Sequence, residues 1–319
     1  MSLPAHIARR VRLPVIGAPL FIVSNPDLVI AQCISGIIGS FPALNARPAP
    51  MLEQWLIRIT ETLAAYDEAH PDAPSAPFAV NQIVHKTNDR LMHDMGLCAK
   101  YKVPLIITSL GARQDINEAV HSWGGIVMHD IINIQFAKKA LEKGADGLIA
   151  VAAGAGGHAG TLSPFALVAE IRKFFDGPLA LSGAIATGGG ILAAQAAGAD
   201  VAYIGSAFIA TEEANAIDSY KQAIARSDAK DIVYTNLFTG VHGNYLRSSI
   251  EANGMDPDAL PESDPTKMNF ASAATKAWRD IWGAGQGVGS VATIVPAAAR
   301  IAQWRTEYTA ARTRLGLAA

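Results

Sequence analysis

Between Leu13 and Ser206 the chain alternates short, almost wholly apolar runs with longer amphipathic ones. The apolar runs are Leu13–Ala18, Gly36–Phe41, Phe78–Val84, Val103–Ser109, Gly125–His129, Gly147–Ala152, Pro178–Ser182 and Val201–Gly205. None shows the two-residue alternation of a strand with one wet face, so each reads as a strand buried on both sides. The helical patterns between them have recognisable ends. Asn25-Pro26 opens one with proline in its first turn, Met51–Tyr66 is the longest, and Lys138–Gly144 closes another with cations and a terminal glycine. Buried strands that are each followed by a helix pair in parallel, and eight such units predict an α/β fold, a (β/α)8 TIM barrel. A doubly wound sheet is the rival arrangement; no Gly-x-Gly-x-x-Gly follows the first run, which counts against it. The junctions Gly144-Ala145-Asp146 and Gly198-Ala199-Asp200 repeat one helix-to-strand turn and support the repeated unit.

The pattern changes after Ala210. An acidic amphipathic stretch, Glu212–Arg226, leads to an irregular segment, Tyr245–Asp264, rich in Asn, Asp and Pro, and then to an aromatic helix around Trp278–Trp282. This is too long for a simple connection. The prediction is a barrel built from residues 1–212 and 290–319, with Pro296–Leu315 as its last outer helix, and a smaller, mostly helical domain of residues 213–289 over the barrel mouth.

Composition narrows the partners. Half of the 319 residues are hydrophobic and the formal charge is −2, with no dense Lys/Arg run, so neither nucleic acid nor a membrane surface is expected. Cys33 and Cys98 are too few and too isolated for a disulfide framework or a metal site, which suits a reducing compartment. Met1–Arg12 lacks the apolar core of a secretory signal, and no run approaches the ~20 apolar residues of a membrane helix. The expectation is a cytoplasmic protein acting on a small molecule, with assembly into a homo-oligomer left open.

In a barrel of this kind ligands bind at the C-terminal ends of the strands. After the sixth run stands Val151–Thr161, where four glycines, Gly154, Gly156, Gly157 and Gly160, leave His158 as the single titratable side chain. So little side-chain bulk lets a flat or phosphorylated ligand approach the backbone. The seventh and eighth runs end in Ser182-Gly183-Ala184 and Gly205-Ser206, with Gly188-Gly189-Gly190 nearby, small residues of the kind a barrel phosphate site needs. Asn81 in the third run can hydrogen-bond a ring edge, and the backbone of Gly17, Ala18, Pro19 and Leu20 can lie against a flat ring. Together these are what a flavin mononucleotide (FMN) site asks of a protein. His85, His93, His129 and His242 are read as secondary, and no histidine pair has metal-ligand spacing, so no metal is expected.

The chain resembles the nitronate monooxygenase family, formerly called 2-nitropropane dioxygenases. The matching pieces are Pro14–Pro19, Phe78–Asn81, Ala155–Gly160, Leu181–Ala186, Gly198–Asp200, Tyr203–Phe208 and Trp282–Gly287, in family order over nearly the whole chain. The resemblance implies an FMN enzyme in which His158 takes the α-proton of a nitroalkane or orients the nitronate anion. O2 then enters, and the products are a carbonyl compound and nitrite. It also implies that Asn81, Ser182, Ala184, Gly205, Ser206 and Gln286 contact the flavin or border its pocket. An imidazole suits the role because its ordinary pKa of ~6.5 lies near working pH, and as imidazolium it would attract an anion. The alternative within the same resemblance is an FMN-dependent NAD(P)H reductase of enoyl thioesters or quinones. Four positions depart from the common family pattern: Gly154 stands for glutamate, Ala184 for glycine, Ala207 for arginine and Asp130 for lysine. Without those cations, phosphate binding falls to backbone amides and Ser206.

Overall fold

The computed structural model describes residues 2–263 and 279–317. Every apolar run of the barrel region overlaps a strand: β1 (Val15–Gly17), β2 (Gly39–Pro42), β3 (Phe78–Ile83), β4 (Leu105–Ser109), β5 (Ile126–Ile131), β6 (Gly147–Val151), β8 (Leu179–Ser182) and β9 (Val201–Ile204). They pair in parallel in the order β1-β9-β8-β6-β5-β4-β3-β2. The remaining gap closes where Gly17 N–H donates to Ile38 O at 2.8 Å and Ile38 N–H to Val15 O at 3.1 Å. The sheet is thus the predicted closed (β/α)8 barrel.

Both faces of each strand are apolar for different reasons. Ile16, Ala79, Leu105, Ile107, Met128, Ile149, Ala180 and Val201 point inward and fill the barrel, whose base is plugged by Leu3, Ile7 and Val11. Their neighbours point outward, Val80, Ile106 and Val127 against Leu56, Met95 and Val120 of the surrounding helices, and Leu148 and Leu181 against Leu167 and Ile191. A strand covered on both sides has no polar face to alternate with.

The helix Ala297–Arg314 returns to the barrel wall as expected. It packs against the helix Gly188–Ala196 so closely that a Cβ on Gly188 would lie 2.3 Å from Trp304 O. Trp304 is buried and donates its indole N–H to Ala186 O at 2.8 Å. The segment that interrupts the barrel carries helices Asp218–Arg226 and Arg247–Ala252, but it is less helical than expected among the described residues. Strands β10 (Ile232–Thr235) and β11 (Gly243–Leu246) form a three-stranded antiparallel sheet with β7 (Gly157–His158), in the order β10-β11-β7. Four- and two-residue strands are too short to show a period. Residues 264–278, including Trp278 of the expected aromatic helix, lie outside the described residues.

Candidate active site

At the barrel mouth the strand ends open into a cavity of about 580 Å3. Strand parity decides which side chains reach it. Asn81 stands two residues beyond Ala79, Ser109 two beyond Ile107, Asp130 two beyond Met128 and Tyr203 two beyond Val201, each of the latter filling the barrel centre. The four polar residues therefore form the next layer, a polar floor under the cavity, and all four line it. Asn81 Nδ2 donates to Ser109 Oγ at 2.8 Å and to Ile107 O at 3.1 Å. Burial pushes Asp130 up to about 6 from its ordinary 3.8, outweighing the opposing pull of the Ser109 hydroxyl. Tyr203 is held well above its ordinary value, first by burial and then by the Asp130 charge. His129 has the opposite parity. Its ring is turned away from the barrel axis, with Nδ1 2.6 Å from Thr108 Oγ1, and burial pushes it down to about 4.

The glycine-rich loop after β6 forms one wall, and a strap of residues 283–287 lies across it. Gly154 O accepts from Gln286 N–H at 2.9 Å and from Ala184 N–H at 3.3 Å, while Gly285 N–H donates to Ser206 Oγ at 2.8 Å. Asn244 Nδ2 donates to Ala155 O at 2.6 Å and fixes the loop from the other side. A Cβ on Gly156 would stand 2.8 Å from Gly285 N, so this glycine makes room for the strap's backbone.

His158 is placed by the same inserted segment. In the β7–β11 pairing Gly243 stands opposite His158, and a Cβ on Gly243 would come within 2.8 Å of Gly157 O. His158 Nε2 lies 2.9 Å from Thr239 Oγ1. That hydroxyl donates its own hydrogen to Val241 O at 3.0 Å, an arrangement that assigns the proton of the neutral ring to Nε2. Burial pushes the imidazole down to about 4 from its ordinary 6.5.

The cavity collects Ala18, Pro19, Asn81, Gly156, Gly157, His158, Ser182, Gly183, Ala184, Gly205 and Ser206. Two predicted residues stand behind that lining. Gly17 turns its missing side chain toward Gln32, whose Nε2 would be 2.4 Å from an added Cβ, and Gln286 packs over Gly154 while its neighbours Gly285 and Gly287 line the cavity. The triple glycine is also a packing device: Gly188 N–H donates to the Glu307 carboxylate at 2.8 Å and Gly190 N–H to Thr187 Oγ1 at 3.1 Å. Its helix N-terminus is therefore already capped. Ala184 sits at φ +54°, a left-handed backbone that ordinarily favours glycine.

Sequence reading passes over Tyr203, Tyr220, Lys139 and Thr239. Parity with Val201 is a signal that could have found Tyr203; nothing in Phe238–Gly243 marks Thr239 as the partner of a histidine 81 residues away. Among the described residues Lys139 is the one Lys or Arg in the cavity lining. Among the described residues no group of three or more His, Cys, Asp or Glu is placed to hold a metal, and no helix is long and apolar enough to cross a membrane.

Fold and site together define a barrel enzyme with a ligand cavity at the C-terminal ends of its strands. The nitronate monooxygenase family profile matches residues 58–305, and the chain belongs to that family of oxidoreductases, which act on small molecules. A nitronate monooxygenase of Paraburkholderia phytofirmans is 28% identical, with 92% of each chain covered, and a probable nitronate monooxygenase of Bacillus subtilis is 25% identical over 87% of this chain and 91% of its own. Among solved structures, nitroalkane oxidase from Streptomyces ansochromogenes superimposes with a TM-score of 0.81 at 23% identity, covering 97% of this chain and 100% of its own. FabK from Thermotoga maritima superimposes with a TM-score of 0.77 at 21% identity, covering 98% and 99%. At those identities the two structures establish the shared fold.

Proposed function

We propose that the protein binds FMN in this cavity and oxidises alkyl nitronates with O2 to a carbonyl compound and nitrite. The observation that carries the reading is a histidine of fixed tautomer on the wall of a cavity whose two ends differ in chemistry, in a chain of this family. The residues fit the cofactor. The Ser206 hydroxyl accepts from Gly285, which leaves its hydrogen for a phosphate oxygen, and backbone of Ala184, Gly205 and the 285–287 strap surrounds that end. At the other end the polar floor offers Asn81 to a ring edge, and Ala18-Pro19 offers a flat backbone surface. When bound, the flavin supplies the electron transfer and oxygen chemistry.

His158 handles the proton. A ring pushed down to about 4 is neutral at pH 7, so the resting site holds no imidazolium to draw in an anion, contrary to the simplest expectation from an unperturbed histidine. A base whose conjugate acid is that strong is a weak abstractor of a carbon-bound proton. This favours the nitronate, already deprotonated, over the neutral nitroalkane. An anion arriving beside the ring raises its pKa, so His158 takes up a proton at Nδ1 as the substrate binds and then holds it by a charge-assisted hydrogen bond.

The test is a visible absorption spectrum of the purified protein, recorded without oxygen before and after adding an alkyl nitronate and, separately, NADH. Change of a flavin spectrum by nitronate and not by NADH is the expected result, with His158→Asn retaining flavin and losing turnover. Bleaching by NADH alone would move the protein to the reductase class, and no flavin spectrum after reconstitution would overturn both readings.

A further inference from the structure

One edge of β11 serves both ends of the cavity. Along it Gly243 stands opposite His158 and Asn244 opposite Gly157, while the next residue, Tyr245, is bridged to Gly283 of the strap. Asn244 is where the partner changes. Its backbone O accepts from Ala284 N–H at 3.2 Å, so it holds the strap immediately before Gly285, whose own N–H reaches Ser206 Oγ at 2.8 Å. Its side chain is buried, and Nδ2 donates to Ala155 O at 2.6 Å, so it also holds the glycine-rich loop on the way to His158. Leu246 N–H donates to Trp282 O at 2.8 Å and the Tyr220 hydroxyl to Gly283 O at 2.5 Å, which leaves the start of the strap little freedom to slide.

The loop needs that second hold. The strap grips it directly at Gly154, whose O accepts from Gln286 N–H at 2.9 Å, but Ala155, Gly156 and Gly157 still lie between that grip and His158. Gly154 and Gly157 are both left-handed, at φ +83° and +66°. Glycine torsions absorb a displacement instead of passing it on. The carboxamide on Ala155 O and the strand pairing at Gly157 pin the chain on either side of Gly156, and both come from Asn244.

We propose that Asn244 is a positioning residue that sets His158 in register with the phosphate end of the cavity, so that a phosphomonoester held by Ser206 and the strap steadies the imidazole against Thr239. The inference rests on the FMN reading. A Ser206 hydroxyl that accepts from Gly285 and donates to an anion becomes the middle of a hydrogen-bond chain, and bonds in such a chain strengthen one another. The firmer Gly285–Ser206 bond fixes the strap, the strap fixes Ala284 on Asn244, and Asn244 fixes the loop. Riboflavin, with the same ring and no phosphate, leaves that chain unfinished.

The experiment uses the full chain with its histidines labelled with nitrogen-15, stripped of flavin and reloaded with FMN or with riboflavin. The imidazole nitrogens of His158 are assigned in the NMR spectrum by their loss in His158→Asn. In wild type, FMN should give sharp signals of a ring protonated at Nε2, and riboflavin broadened signals displaced toward the average of the two tautomers. Identical His158 signals with the two flavins would overturn the proposal, and that comparison stands whether or not a variant folds. Asn244→Leu keeps the backbone bonds and loses the side-chain donor. Loaded with FMN, it should show the riboflavin pattern, with kcat for an alkyl nitronate down roughly tenfold and KM within about twofold of wild type. The wild-type FMN pattern in this variant would equally overturn the proposal. If neither flavin binds wild type, the FMN reading fails and takes this inference with it, an outcome distinct from flavins that bind and leave the His158 signals alike.

Discussion

Thr239→Val removes one hydroxyl from behind the cavity wall, at His158, and leaves a side chain of nearly the same shape. In the wild type that oxygen stands 2.9 Å from His158 Nε2 and 3.0 Å from Val241 O. Valine removes the hydroxyl that both the imidazole and the carbonyl contact, and losing such a buried hydrogen bond costs about 1–3 kcal/mol. The larger effect comes when the ring is charged, because the lost bond is then one to a cation, about 1.5–3 kcal/mol. At 1.36 kcal/mol per decade this is a fall of roughly 10- to 150-fold in kcat/KM for a nitronate. The contact favours the protonated ring, so its loss should also move the histidine limb of the pH profile to lower pH. Thr239→Ser keeps the oxygen and should recover most of the activity. The assay is steady-state nitronate oxidation across pH, with flavin content and melting temperature measured on the same samples. A folded, flavin-loaded Thr239→Val enzyme within twofold of wild type would refute the tautomer argument.

Two further expectations follow from backbone contacts and burial. In Gly156→Ala the new methyl would meet Gly285 N at 2.8 Å and Ala284 C at 3.0 Å, backbone atoms that yield only if the strap lifts. Overpacking plus loss of the Gly285–Ser206 and Gln286–Gly154 hydrogen bonds should cost roughly 2–4 kcal/mol and weaken flavin binding; an unchanged melting temperature would show that the strap does not depend on this contact. His129 titrates at about 4 when folded against an ordinary 6.5, so between those values the unfolded chain binds more protons. The stability held by the neutral ring is complete above pH 6.5 and is lost as pH falls toward 4, on the order of 3 kcal/mol. In urea melts at pH 7 and 4.5, His129→Gln should therefore lose less stability than wild type on acidification, and equal losses would count against burial as the cause.

The barrel was legible because each of its strands is covered on both sides, which prints an unbroken apolar run such as Leu105–Thr108. The small sheet was not: β7 is two residues long, and what makes it a strand is a partner at Gly243-Asn244, far along the chain. Glycines were legible as crowded positions and silent about what crowds them. Gly156 yields to the strap, Gly188 to the last helix and Gly17 to Gln32, although all three read equally well as room for a ligand. Asp130 shows the same limit from the other side. Its place at a strand end was evident, but its burial depends on parity, a fact that exists only once β3, β4 and β5 lie side by side.

The pairing of His158 with Gly243 makes the proposed catalytic group part of the cover. Any opening that parts β7 from β11, or carries Thr239 away with Val241 at the cavity wall, also takes the imidazole off its anchor. An open molecule is thus a disarmed one. On the proposed role of His158, readiness to react is coupled mechanically to enclosure, and a solute that wanders into a gaping barrel finds no aligned imidazole waiting for it.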